Sequence, residues 1–384
     1  YGLCLWSQPS PAQQRLRLEH ADLMKGRQEG DETVRELIGA VAFRQDNARI
    51  RCDQALQYVD RAQAALSGRV EMTEPPKQLN ADYVYYYEKL RNYQAWGRVI
   101  ARDSSRVLHA DTLNYIENND HLAATGQVRL VEKNKRVTLA GRRADYWRSD
   151  GRALVVGRPV LTERDSTDRV LMTVTADSMF MLEDGGRYRM VGQVHIRRDT
   201  LDAYCGRLDY IRKGEMLLLQ DKPSAVRGLD YMRGQQIELA LSGNRVTGIT
   251  LKKQSVVISR VDTLQAAEEL YDLLTGDVIQ VTLQNDSVRE VSVKGQATSY
   301  YHVYENKVQK GLNKALGDEI HIHFADNQIE RITVNSNPGN STGVFFPPDK
   351  SQAVQTELNE RLQEARQAAS KGTKQRRDSK QGHQ

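Results

Sequence analysis

The chain has 384 residues, 39% of them hydrophobic, with five Phe, three Trp and seventeen Tyr. That is little bulk for a deep globular core, and it suits thin sheets with one wet face. Net charge is +5, of which +3 falls in residues 351–384, so the body is nearly balanced and a dedicated nucleic-acid protein, which concentrates a basic face, is excluded.

In chain order, residues 1–12 read as the end of a secretory signal peptide: a short apolar piece, then small residues and Pro before Gln13. Cys4 would leave with that peptide or serve as a lipid attachment point. No run approaches the roughly 18 apolar residues of a membrane-spanning helix. Residues 13–34 form a lead-in to the first repeat.

From residue 35 a period emerges. Gly39, Gly68, Gly97 and Gly126 are 29 residues apart, and Gly157 and Gly192 follow at 31 and 35. Self-similarity at a fixed period marks a repeat architecture. Apolar and polar residues alternate around each glycine, most clearly at Leu122, Ala124, Gly126, Val128 and Leu130. Period two over nine residues is a half-buried strand. Fourteen residues after each of the first three glycines comes an aspartate: Asp53, Asp82 and Asp111. Asp145, Asp177 and Asp209 are expected at the same place in the longer copies. The apolar parity changes across each Asp, which predicts a bulge or corner where one long strand passes from one sheet into another. One Asp per bend is a structural signal, because Asp bonds readily to nearby backbone N–H groups. Cys52 and Cys205 fall in distant repeats and read as small buried hydrophobes, not a bridge.

Residues 231–345 use a second module. Gly234, Gly276 and Gly317 are 42 and 41 apart, and turn residues after each predict a hairpin repeated three times. Leu264–Leu274 and Leu312–Leu316 alternate weakly and are expected as short helices. Residues 346–384 are a tail: Val354, Leu358, Leu362 and Ala365 form a helical stripe, and 371–384 read as disordered, basic and solvated.

Catalytic signatures are missing from the sequence: there is no Gly-x-Ser-x-Gly, His-Glu-x-x-His or phosphate-cradling glycine loop. His321 and His323 share one strand face and could hold a metal, but no Cys lies near them and a surface pair is the plainer reading. No enzyme activity, cofactor or metal is expected.

The runs Leu122-Ala-Ala-Thr-Gly-Gln-Val-Arg-Leu130 and Leu108-His-Ala-Asp-Thr-Leu-Asn-Tyr115 resemble the LptA/OstA lipopolysaccharide-export family. The triplicated hairpins, as at Gly317-Asp-Glu-Ile320, resemble its longer OstA-like form in Bacteroidota-type bacteria. The resemblance covers roughly residues 35 to 345. It implies an all-β, elongated, repeat-built β-jellyroll, a V or slit cylinder of antiparallel bent strands, with a short C-terminal helical and disordered tail. It also implies a periplasmic bridge or chaperone that carries lipopolysaccharide, or a related acyl lipid, between inner and outer membranes in an apolar groove. The candidate lining is Val70, Met72, Val99, Leu108, Val128, Leu130, Leu139, Val194 and Ile196. Implied partners are other jellyroll transport proteins of the inner- and outer-membrane complexes, docked through end strands, or further copies head to tail; no nucleic acid is expected. The competing readings are an envelope β-repeat scaffold that docks partners without lipid, and a carbohydrate-active β-helix enzyme, which would need clustered carboxylates.

Overall fold

A computed structural model describes residues 15–243, 245–261, 270–305, 308–325, 328–337 and 339–364. The expected signal-peptide remnant, Cys4, residues 264–269 and the basic stretch 371–384 lie outside the described residues. The described chain is all-β, with one α-helix at 352–364.

It divides into two compact units. The first holds the residues up to Arg164 together with Ser178–Gly185, and the second holds Asp165–Asp177 and the residues from Gly186 onward. Strands β1 (Arg17–His20), β2 (Leu23–Glu29), β3 (Glu32–Gln45), β4 (Ala48–Tyr58), β5 (Gln63–Glu74) and β6 (Lys77–Tyr87) open the first unit. It continues with β7 (Asn92–Arg102), β8 (Arg106–Ile116), β9 (His121–Glu132), β10 (Val137–Trp147), β11 (Arg152–Val156) and β12 (Val160–Arg164). The second unit contributes β13 (Val170–Thr175), and β14 (Ser178–Leu182) returns to the first. Then come β15 (Arg187–Arg198), β16 (Leu201–Ile211), β17 (Met216–Gln220), β18 (Ser224–Arg227), β19 (Asp230–Arg233) and β20 (Gln236–Ser242). The last strands are β21 (Arg245–Arg260), β22 (Tyr271–Gln284), β23 (Ser287–Glu305), β24 (Val308–Ala325), β25 (Gln328–Asn335) and β26 (Thr342–Phe346).

In the first unit, neighbouring strands pair antiparallel, and the register slips once in the middle of each long pair. Between β4 and β5, three steps on one strand (Arg51 to Gln54) oppose four on the other (Glu71 to Ser67). The glycine-bearing strand therefore holds one extra residue, a β-bulge. Gly68 sits there with φ +75 and the next residue, Arg69, is also left-handed at φ +45. A side chain at that glycine would meet Asp53, whose Cβ lies 2.8 Å from the ideal Cβ position. The same meeting recurs at Gly97 with Asp82, Gly126 with Asp111 and Gly192 with Asp177. The aspartate and glycine of adjacent strands thus nest at one corner. Arg69 donates to both oxygens of Asp53, and Arg98 does the same for Asp82, holding both carboxyls below their usual range.

Asp145 and Asp209 do not occupy that place. The corner of β10 falls earlier, at Gly141 and Arg142, where the register breaks and Arg142 faces Gly157. In β16 the glycine itself, Gly206, takes the corner against Asp221. Asp145 and Asp209 lie beyond their bends, buried and held by arginines: Arg143 on Asp145, Arg187 and Arg189 on Asp209.

The bend gives each long strand two halves that belong to two facing half-sheets. The outcome in the second unit is the same. Three antiparallel pairs recur there: β20 with β21, β22 with β23 and β24 with β25. Leu312–Leu316 is not a helix but part of β24, paired with β26, and residues 271–274 begin β22. The reason is double burial. Helix 352–364 lays Val354, Leu358 and Leu362 on the outer face of this half-sheet, against Val256, Ile258, Leu273, Tyr300 and Leu312. Covered on both faces, these strands lose their period-two alternation. Tyr300 donates its hydroxyl to Glu357 at 2.6 Å, and Lys314 reaches the same carboxylate.

Candidate functional site

Every one of the nine candidate lining residues faces the interior of its unit. Eight are buried outright and Met72 is half-buried. Cross-strand register places four of them on one continuous apolar rail. It runs Leu18, Phe43, Ile50, Met72, Leu79, Ala101, Leu108, Leu130, Leu139, Leu161, one residue per strand over ten strands. Val70, Val99 and Val128 sit one inward position closer to the bend on the same half-sheet. Val194 and Ile196 belong to the second unit, on β15, and are fully buried there.

The facing half-sheet of the first unit carries an equivalent rail, through Leu37, Ala55, Leu66, Val84, Ala95, Leu113, Ala124 and Ala144. Its residues were visible as apolar positions upstream of each glycine and downstream of each Asp, but only the bend shows that they oppose the first rail. Between the rails the interior is closely filled. A space of about 60 Å³ touches Met72, Leu79 and Ala101, and one of about 20 Å³ touches Leu108 and Leu130.

At the strand ends of this unit the interior is bounded by buried charges that sequence reasoning did not single out. Arg106 bonds Glu132 at 3.3 Å and also engages Tyr146 and Asp184. Burial alone would lower the basicity of Arg106; the Asp184 bond, Tyr146 and Glu132 more than offset it, so the guanidinium is held charged. Arg91 lies between Asp46 (3.2 Å), Glu74 (2.8 Å) and Glu117 (3.9 Å). Glu88 is pushed above the usual carboxylate range by burial, against the pull of bonds from Gln57 and the Leu16 N–H. Partners 17 to 78 residues apart leave no local pattern to read.

Cys52 and Cys205 are buried and not joined in a disulfide, and burial raises Cys52 to about 12. His321 faces Glu290 and Glu319, and among the described residues no group of three or more His, Cys, Asp or Glu is placed to hold a metal. No helix among them is long and apolar enough to cross a membrane.

An apolar double rail with its backbone satisfied in ladders can shelter hydrocarbon without directional bonds, each buried methylene being worth about 0.8 kcal/mol. Against this geometry, residues 13–138 match the family described as OstA-like protein. This segment is similar to that family. The match takes in β1 to β9 and the start of β10, the part of the chain that carries the corners at Gly68, Gly97 and Gly126 and most of the first rail. No curated protein matches the chain. Among solved structures, the chain is similar to LptH of Pseudomonas aeruginosa, the LptA-homologous periplasmic component of the lipopolysaccharide transport device. Identity is 15% over 38% of this chain and 95% of that one, with a TM-score of 0.30.

Proposed function

We propose that the protein is a periplasmic bridge or chaperone that carries lipopolysaccharide, or a related acyl lipid, between the inner and outer membranes, and that it works without catalysis. The observation that carries this reading is the coincidence of the OstA-like segment with the ten-strand apolar rail. The rail repeats the same chemistry from strand to strand, so an acyl chain held at Leu108 and Leu130 meets equivalent contacts at Met72 and Leu79. Because the resting interior holds only small spaces, loading parts the two half-sheets of the unit as the chains enter.

End strands supply the contact with other proteins of the same build. Among the described residues β2 pairs only with β3, and it is exposed along its whole length, Leu23 and Met24 included. Such an edge accepts a strand from another chain, giving head-to-tail copies or a junction with a jellyroll partner.

The test is photocrosslinking in the envelope, with a benzophenone side chain at Leu108 or Leu130, and at the outward neighbours His109 and Arg129 as controls. Lipopolysaccharide adducts are expected from the two inward positions and not from the outward ones. Labelling that is absent, or equal on both faces, overturns the conduit reading in favour of a scaffold that carries no lipid.

A further inference from the structure

A larger internal space lies in the second unit, away from the rails described above. It measures about 210 Å³ between the half-sheets of β18 to β25. An engineered apolar cavity of about 150 Å³ is enough to bind benzene.

The deep wall is hydrocarbon. Met232, Val257 and Leu274 are directly opposed on three adjacent strands, and Val281, Val291 and Ile322 on the facing half-sheet. Two residues toward the strand ends the character changes. Arg227, Asp230, Ser259 and Asp272 follow one another in register across β18, β19, β21 and β22, and Tyr301 on β23 lines the same wall. A polar rung of this kind in an apolar wall is costly unless its groups are hydrogen-bonded.

Its own residues leave acceptors over. Arg227 reaches across to the backbone carbonyl of Asp286, at the tip of the β22–β23 hairpin, so its donor bridges the two layers at the mouth. Ser259 donates to Asp230. Asp272 accepts from the backbone N–H and Nδ1 of His302 through a single oxygen, at 2.9 and 2.8 Å. Burial pushes both Asp230 and Asp272 above the usual carboxylate range, and Asp230 adds to the rise of Asp272. Two partly desolvated carboxyls within two strand spacings, roughly 10 Å, outnumber the single guanidinium of Arg227, which is already engaged at the mouth, so the rung favours a cationic donor over an anion.

We propose that this cavity binds a single-chain amphiphile with a protonated amine head, the chain lying among Met232, Val257, Leu274, Val281 and Val291 and the head on the Asp230–Ser259–Asp272 rung. The site is separate from the lipid rail of the first unit, and its anion-repelling head subsite distinguishes it from a lipopolysaccharide site.

The experiment is calorimetric titration of the full chain with octylamine, octanol and octanoate below their micellar concentrations, with butylamine to measure chain dependence. Octylamine is expected to bind at least tenfold more tightly than octanoate, and each added methylene to tighten binding about fourfold. Asp230→Asn, which keeps the shape of the wall, is expected to erase the preference for amine over alcohol. Val291→Trp fills the cavity and is expected to abolish binding of all three. Should Val291→Trp not fold, the Asp230→Asn result decides alone. Octanoate binding as well as octylamine, no binding by any of them, or octylamine binding unchanged in a folded Val291→Trp protein overturns the proposal. Crosslinking at Leu108 and Leu130 is independent of every one of these outcomes.

Discussion

Replacing Gly97 by Ala probes the corner on which the bent-strand architecture depends. Gly97 has φ +78, a conformation that costs an L-residue about 1–2 kcal/mol. The new Cβ would also lie 2.7 Å from Asp82 Cβ and 2.6 Å from its Oδ2. A carboxylate oxygen can swing away, but Asp82 Cβ is fixed to β6, so the strand itself must shift at the register break between Asn80 and Tyr83. Overpacking of that kind costs about 1–3 kcal/mol, so the total loss is about 3 kcal/mol. The reporter is built in: Trp96, next to Gly97, stacks on Tyr83, next to Asp82, with centroids 5.8 Å apart and planes 13° from parallel. Urea unfolding followed by tryptophan fluorescence gives the loss. The double variant Asp82→Gly/Gly97→Ala removes the opposing Cβ and is expected to recover at least a third of it. A loss below about 0.5 kcal/mol, or single effects that simply add, would refute the nested-corner reasoning.

Glu88→Gln is expected to stabilise the first unit by about 1 kcal/mol at pH 8 and to be nearly neutral at pH 4. A carboxyl raised on folding contributes stability below its unfolded pKa that is lost as pH rises through the folded value, and the amide removes that loss. Gln57 Oε1, buried without a partner, gains a donor from the new amide; urea midpoints at the two pH values check it, and an equal effect at both contradicts it. Leu358→Ala, at a fully buried position of helix 352–364, should cost about 2–4 kcal/mol and increase dye binding to exposed apolar surface. A thermal midpoint and dye signal like those of the parent protein would mean that the helix is not part of the core.

The parts of the fold that were readable from sequence are those with a local cause. Gly68, Gly97 and Gly126 stand where φ is positive, the inward residues alternate because one face of each strand is wet, and Val354, Leu358 and Leu362 recur at helical spacing. What was missed depends on remote partners. Leu312–Leu316 reads ambiguously because a helix some 40 residues on covers its outer face. Asp145 was expected at the corner of its longer copy, yet the bend in β10 lies at Gly141 and leaves Asp145 to Arg143 and His121. The nine candidate lining residues could be placed on an inner face by parity alone. That Met72, Leu108, Leu130 and Leu139 form one rail follows from register, and the Arg227–Tyr301 rung joins residues from five strands that no spacing rule links.

Because every long strand of the first unit divides itself between the two half-sheets at the same relative place, the cross-section of the interior is independent of the number of strands. One 29-residue period adds two strands, and therefore about 10 Å of ladder, with one more residue pair on each rail and no new kind of contact. Reach is thus a quantity the gene can adjust in whole periods by duplication or loss, while the width that a hydrocarbon chain meets stays constant.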